Sequence, residues 1–311
     1  MPGAIGKDWR SGVLVRFQQL WRRTRRLRPP PLGFAKWIQH KLSRLNYAMH
    51  IEPTWLEINR TQIIVPGWSP PRPLRIVHMT DFHLQQRVPA AYVAACVEAA
   101  NAEQPDIIAL TGDFIHSGEK FVEPIADLLA PLKAPLGVFA VLGNHDYAVR
   151  NALGVSTRRQ LPKQVASALE RRGIRVFHNE LLTLTHGGLA LQISGVEDLW
   201  SRACRPDLAL ARLDSSLPHI MLAHHPRTIE LLTSERCDLM LSGHTHGGQV
   251  VFPRAGAITL SRRMKCYASG LYPIHGRLLY VNKGIGFGFK IRYNSRPEIA
   301  VFDLAGPVAT E

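Results

Sequence analysis

Leu74-Arg75-Ile76-Val77-His78-Met79-Thr80-Asp81-Phe82-His83 sets the pattern for the whole chain: a short apolar run closed by residues with oxygen and imidazole donors. The same pattern returns at Asp106–Leu110, which runs into Thr111-Gly112-Asp113, and at Gly137–Leu142, which runs into Gly143-Asn144-His145-Asp146. It returns again at His219–Ala223 before His224-His225-Pro226, and at Leu239–Ser242 before Gly243-His244-Thr245-His246. Apolar runs of this length, bounded by turn residues, read as buried strands. Between them lie segments with helical character at Ala90–Ala102, Phe121–Leu132, Lys163–Arg172 and Arg227–Leu232. Such alternation predicts α/β layering, with sheet inside and helices outside.

Further strands are expected at Thr61–Val65, near Val176 and Leu184, and at Leu189–Gly195. Gln249–Phe252, Arg277–Val281 and Glu298–Leu304 follow with few helices between them, which suggests a second sheet packed on the first. The expected fold is therefore a two-sheet β-sandwich flanked by helices, with a helical arm in front of it. Ligands in open α/β sheets bind beyond the carboxyl ends of the strands. Five strands here end in such donors, so their loops are expected to converge. Glycine at 112, 143 and 243 permits tight turns and close approach of backbone to a bound phosphate.

Each motif alone is weak. His83 by itself reads as an ordinary core or surface histidine and Gly-Asp as a turn; Gly-Asn-His-Asp after a buried strand has little structural use and is more specific, and Gly-His-Thr-His, for which a solvated turn is the alternative, is moderately so. Together they supply carboxylate, imidazole and amide donors for two divalent metals. No thiolate belongs to the set, which suits manganese, iron or zinc. Cys96, Cys204, Cys237 and Cys266 have no CxxC spacing and read as reduced thiols.

Net charge is +14, and ten of those charges belong to residues 1–50, where eleven Lys and Arg face the single acid Asp8. Trp9, Val13, Phe17, Leu20 and Trp21 share one helical face; Phe34, Trp37, Ile38, Leu42, Leu45 and Met49 share another. Arg28-Pro29-Pro30-Pro31 separates them. Basic amphipathic helices with aromatic apolar faces suit an anionic membrane surface. Two alternatives stay open: a helical pair packed on the body, and an arm that holds nucleic acid. The organisation expected is a basic arm over 1–52 and a catalytic domain over 53–311. Arg22-Arg23 and Arg25-Arg26 are followed by prolines and no apolar leader, and no run nears the ~20 apolar residues of a membrane span. The expected place is the cytoplasm, with peripheral attachment to the inner membrane.

The order D-x-H, GD, GNHD, strand-end His and GHTH resembles the calcineurin-like metallophosphoesterase superfamily over roughly 55–305. The strings Gly112–Ile115, Gly143–Tyr147, Ala223–Pro226, Ser242–Gln249, Leu279–Gly284 and Arg292–Ile299 are similar to its bacterial membrane-associated subgroup. Some members of that subgroup hydrolyse UDP-2,3-diacylglucosamine in lipid A synthesis. The resemblance implies one metal held by Asp81, His83 and His246, and a second held by Asn144, His224 and His244. Asp113 would bridge them. His224 occupies the strand-end position of the family, and His225 is the fallback. His145 is then the residue that protonates the leaving oxygen or stabilises phosphoryl charge. Asp146 is expected to accept a hydrogen bond from His145, or else to cap a helix. His116 lies near enough to touch substrate, or is a plain loop histidine.

The reaction so implied is metal-dependent hydrolysis of a phosphodiester or pyrophosphate bond in a phosphoester or nucleotide–lipid substrate. The alternatives are a nuclease that uses the arm to hold nucleic acid, and a non-catalytic membrane-docking adaptor.

Overall fold

The structure, a computed structural model, describes residues 41–156 and 158–307. The first predicted amphipathic helix, the proline break and most of the second helix lie outside the described residues. Residues 41–46 are helical and continue into a π turn, Tyr47–Ile51. Leu45–Glu311 forms one compact unit. Ala48 and Glu52 are buried in it: the Ala48 carbonyl accepts from Arg292 N at 2.9 Å, and Glu52 Oε1 accepts from Ser295 N at 2.6 Å.

The strands are β1 (Glu57–Ile64), β2 (Leu74–Met79), β3 (Ile107–Thr111), β4 (Val138–Val141), β5 (Ile174–Val176), β6 (Glu180–His186), β7 (Leu189–Gly195), β8 (His219–Leu222), β9 (Leu239–Ser242), β10 (Val251–Phe252), β11 (Gly256–Ala257), β12 (Gly270–Ile274), β13 (Arg277–Val281) and β14 (Glu298–Ala305). Helices α1 (Ala90–Ala102), α2 (Val122–Leu129), α3 (Leu161–Glu170) and α4 (Pro206–Ala209) lie between them. One sheet has the order β1-β14-β2-β3-β4-β5, the other β12-β13-β9-β8-β7-β6, and β10-β11 is a small separate hairpin. Strands β2 to β5 are mutually parallel, as are β7, β8, β9 and β13.

The period of two in a strand explains the layers. Leu74 and Ile76 of β2 point between the sheets, against Leu191, Ile220, Leu222, Leu239 and Leu241 of the other sheet. Val77 and Met79 point the opposite way, into a layer with Val93, Cys96 and Val97 of α1 and Ile125 and Leu129 of α2. The outer face of the second sheet, Met221, Met240 and Leu279, is covered by Ala209, Leu210, Ile229 and Leu232. Strands buried on both faces read as continuous apolar runs, which is why β2, β3, β8 and β9 were legible. The expected sandwich, two sheets with helices outside, is the observed architecture.

Three local differences have identifiable causes. Arg227–Leu232 was expected as an α-helix; Pro226–Leu231 is a 3-10 helix whose first turn is capped by His225 Nδ1, which accepts from Arg227 N. The strand expected over Gln249–Phe252 shrinks to Val251–Phe252, because Gln249 takes φ 47° at the end of the Gly-His-Thr-His turn. Strand β12 has no apolar alternation; it is an edge strand on β13, where Pro273 removes no ladder bond that a further strand needs.

Candidate metal centre

Strands β2, β3 and β4 belong to one sheet, β8 and β9 to the other, and the loops after all five meet. The bonds that join them cross large sequence distances. His244 N donates to Asp81 Oδ2 at 2.9 Å, and His224 Nδ1 donates to the carbonyl of Thr111 at 2.7 Å. Asp81 N donates to Gly112 O, His83 N to Asp113 O and Gly243 N to His224 O, at 2.9, 2.9 and 3.0 Å. Packing between the sheets thus determines where the donors sit.

Asp81, His83, Asp113, His244 and His246 all have left-handed backbones, with φ of 53°, 46°, 53°, 72° and 52°. This region is sterically unfavourable for L residues, by roughly 1–2 kcal/mol each. Asp and His tolerate it better than most residues. Strain of this kind clusters at functional sites, where the surrounding structure holds it. Glycine is needed at 143 and 243 for a separate reason. A Cβ at Gly143 would collide with the Asp113 carboxylate, and one at Gly243 with the Asp81 carboxylate.

All seven expected ligands come together, in two sets that share one oxygen. Asp113 Oδ2 lies 3.3 Å from His83 Nε2 and 3.4 Å from His224 Nε2. On one side of it, His83 Nε2 and His246 Nε2 are 2.9 Å apart, and Asp81 Oδ1 is 3.7 and 3.3 Å from them. On the other side, His244 Nδ1 lies 3.0 Å from Asn144 Oδ1 and 3.3 Å from His224 Nε2. The Asn144 amide donates through Nδ2 to Val149 O at 2.7 Å, which turns its oxygen inward. His225, the fallback, lies beside this set. Its Nδ1 is turned to Arg227 N, although its ring lies 4.4 Å from that of His244.

The donors fit divalent cations. Asp81 Oδ1 is buried and accepts no hydrogen bond. The facing lone pairs of His83 Nε2 and His246 Nε2 repel unless a proton or a cation lies between them. Burial alone would raise the Asp81 and Asp113 carboxyls, but the surrounding imidazoles outweigh it and hold both below the usual range. Burial works against a charge on His83 and His224 too, yet the Asp113 and Asp81 carboxylates lift them to about 9 and about 10. His246 is driven down to about 3 by burial, and His244 falls well below its ordinary value for the same reason. A divalent cation bound here would take the place of the protons on His83 and His224 as partner of the two acids. Asp81, His83 and His246 can hold a metal ion, as can Asp81, Asp113 and His224.

His145 borders the centre, with its ring 4.6 Å from that of His83, and burial pushes its pKa down to about 4. Its Nδ1 donates to the His116 carbonyl at 2.7 Å. This corrects the role expected for Asp146. That carboxylate does not receive His145; it accepts from Gly143 N at 2.9 Å and Ile115 N at 3.3 Å, and no helix follows for it to cap. The two side chains diverge: Asp146 turns under the loop, ties the β3 and β4 turns together, and is raised to about 7 by burial and by Asp113.

Three neighbours were not singled out from the sequence. The Trp200 ring lies edge-on to His244 at 4.5 Å. Asp198 is buried with Oδ1 unpartnered and Oδ2 accepting from Ser201 N at 2.7 Å, and burial lifts its pKa to about 6. It follows β7, so the strand-end rule that located the ligands would have found it. Arg292 is fully buried and donates to the carbonyls of Lys283, Gly284, Gly286 and Ser295, with Nη2 3.4 Å from His246 Nδ1. It opens the string Arg292–Ile299, but at 46 residues from His246 nothing in the sequence places it against that ring.

Comparison with known proteins agrees with this geometry. The model of the calcineurin-like phosphoesterase family matches residues 74–248, which takes in every strand-end motif. The chain is 30% identical over 263 residues to Phosphodiesterase YaeI of Escherichia coli K12, covering 84% of this chain and 93% of YaeI. It is 30% identical over 307 residues to the UDP-2,3-diacylglucosamine pyrophosphatase LpxG of Chlamydia trachomatis, covering 82% of this chain and 91% of LpxG. A likeness of the same degree extends over 266 residues of the uncharacterized metallophosphoesterase YkuE of Bacillus subtilis, with 83% and 88% covered. With a family match over more than half its length and relatives aligned along most of theirs, the chain belongs to the calcineurin-like phosphoesterases and is a metal-dependent phosphoester hydrolase.

Proposed function

We propose that this enzyme is a phosphodiesterase or pyrophosphatase that works with two divalent cations on a lipid-linked or nucleotide-linked substrate at an anionic membrane surface. UDP-2,3-diacylglucosamine is the specific substrate proposed, as for LpxG. The observation that carries the two-cation reading is Asp113 Oδ2, which lies between His83 and His224 as a shared ligand would. Asp81, His83 and His246 serve one cation; Asn144, His224 and His244 serve the other.

The cations, manganese, iron or zinc, supply Lewis acidity that activates water and offsets charge on the phosphoryl group. The chain's own residues do the rest. His145, held by the His116 carbonyl through Nδ1–H, presents the lone pair of Nε2 to the phosphoryl centre; a proton taken up there from the attacking water would pass to the leaving oxygen. The backbone bonds of Asp146 keep the His145 loop in register with Asp113. The half-buried ring of Trp200 beside His244 borders the path for substrate.

Residues 1–52 form the docking arm in this reading, with its last turn anchored on the body through Ala48 and Glu52, and 53–311 form the catalytic body. The arm's excess of ten positive charges favours anionic lipid, and no helix among the described residues is long and apolar enough to cross a membrane. The proposed location is the cytoplasmic face of the inner membrane. Turnover of UDP-2,3-diacylglucosamine and of bis-p-nitrophenyl phosphate should be compared for the full chain and for a form lacking residues 1–40, with anionic vesicles present. The expected result is that truncation spares the small diester and lowers turnover of the lipid nucleotide at least about tenfold, a loss of ~1.4 kcal/mol. Equal loss on both substrates, or retention of the full chain on DNA but not on vesicles, overturns the membrane reading.

A further inference from the structure

The geometry points to His116 as the positioning residue of the centre: its imidazole accepts the outer N–H of His83 and thereby aims His83 Nε2 at the cation it shares with Asp81 and His246. The inference rests on the metal reading above and adds to it a residue outside the ligand set.

His83 has two ring nitrogens with different surroundings. Nε2 faces Asp113 Oδ2 at 3.3 Å, Asp81 Oδ1 at 3.7 Å and His246 Nε2 at 2.9 Å. A cation among these atoms takes the Nε2 lone pair, so the ring proton must reside on Nδ1. The partner of Nδ1 among the described residues is His116 Nδ1, at 3.3 Å. Only one of two facing ring nitrogens can carry the hydrogen. With His83 the donor, His116 is the acceptor and keeps its own proton on Nε2.

Metal-bound histidines generally hand their outer N–H to a carbonyl or carboxylate, which fixes the tautomer and the ring orientation. His224 does so through the backbone, giving Nδ1–H to Thr111 O at 2.7 Å, and no substitution of a side chain removes that partner. His83 depends on a side chain instead. His83 itself lies in the loop after β2, with a left-handed backbone. The His116 ring is itself held near both histidines, with centroids 5.4 Å from His83 and 4.9 Å from His145. Its main chain serves His145 through the carbonyl, so one residue orients a ligand with its ring and the proton donor with its backbone.

The test is calorimetric titration of manganese into the chelator-stripped full-length protein, with ion content measured after gel filtration. Asn places Oδ1 where His has Nδ1 and keeps an acceptor; Phe keeps a ring without one. The wild type is expected to take two ions. His116→Phe should bind one of them roughly 10–100-fold more weakly and leave the other unchanged, and His116→Asn should stay near the wild type. His116→Ala repeats the loss if the phenylalanine variant does not fold. Three outcomes overturn the assignment: unchanged affinity at both sites in His116→Phe and His116→Ala, equal weakening in His116→Asn, or a third wild-type ion that His116→Phe loses, which would make His116 a ligand. A wild type that takes no ion removes the metal reading itself, and this inference with it.

Discussion

His145 approaches the centre by a route set outside its own motif. Its Nδ1 is bound to the His116 carbonyl, which leaves Nε2, without a partner among the described residues, as the atom that can meet substrate. Replacing His145 with Ala should lower kcat by roughly 10²–10⁴ while both cations stay bound, since general acid catalysis contributes about that much. Metal content and kcat measured on one preparation check this; loss of a cation would put His145 among the ligands. The seven candidate donors could be read from the sequence because donor chemistry resides in residue type and each of them follows a strand; their division between two cations came from the family resemblance. The partner of Asp146 could not be read. Adjacency to His145 suggested a bond, yet neighbouring side chains in a turn diverge, and the carboxylate went to the amides of Gly143 and Ile115.

The strand-to-loop turn is the element that makes the centre possible. Strands β2, β3 and β9 each have a left-handed residue at the second position after their last ladder residue, at Asp81, Asp113 and His244. That reversal swings the side chain out of the sheet's alternation and over its carboxyl end. Where two such turns touch, only glycine fits. Gly143→Ala would push a methyl group into the Asp113 carboxylate. The substitution should destabilise the stripped protein by about 1–3 kcal/mol, as overpacked sites do, and should weaken both cations together because Asp113 serves both sets. Urea unfolding without metal and a manganese titration separate the two effects; normal uptake of both ions would show that the shared-oxygen reading is wrong. Element boundaries were legible where strands are buried on both faces. They were not at β12, an edge strand whose pairing with β13 creates it.

At the scale of the molecule, two sheets face each other across Ile76, Ile107, Phe139, Leu222, Leu239 and Leu241, and the centre lies at one end of that interface. His219, at the start of β8, ties the second sheet together by giving Nδ1–H to Arg236 O at 2.6 Å, while Ser194 Oγ lies 2.7 Å from Nε2. Burial lowers its pKa from an ordinary 6.5 to about 4. The folded protein therefore resists a proton that the unfolded chain accepts. This contribution is intact above pH 6.5 and is lost as pH falls towards 4, a span worth about 3 kcal/mol. His219→Gln should flatten the fall in urea midpoint across that window, and an unchanged slope would exclude His219 as a cause. The chain's linear order alone determined the strand-end donors, their succession, the continuous apolar runs that bury both faces of β2 and β3, and the charge gathered in residues 1–50. The fold decided which nitrogen of each histidine faces inward, that His224 and not His225 meets Asp113, and that Trp200, Asp198 and Arg292 surround the ligands. The reason is range: donor type is a property of one residue, whereas orientation depends on partners such as Thr111 for His224, 113 positions away, that only packing brings near.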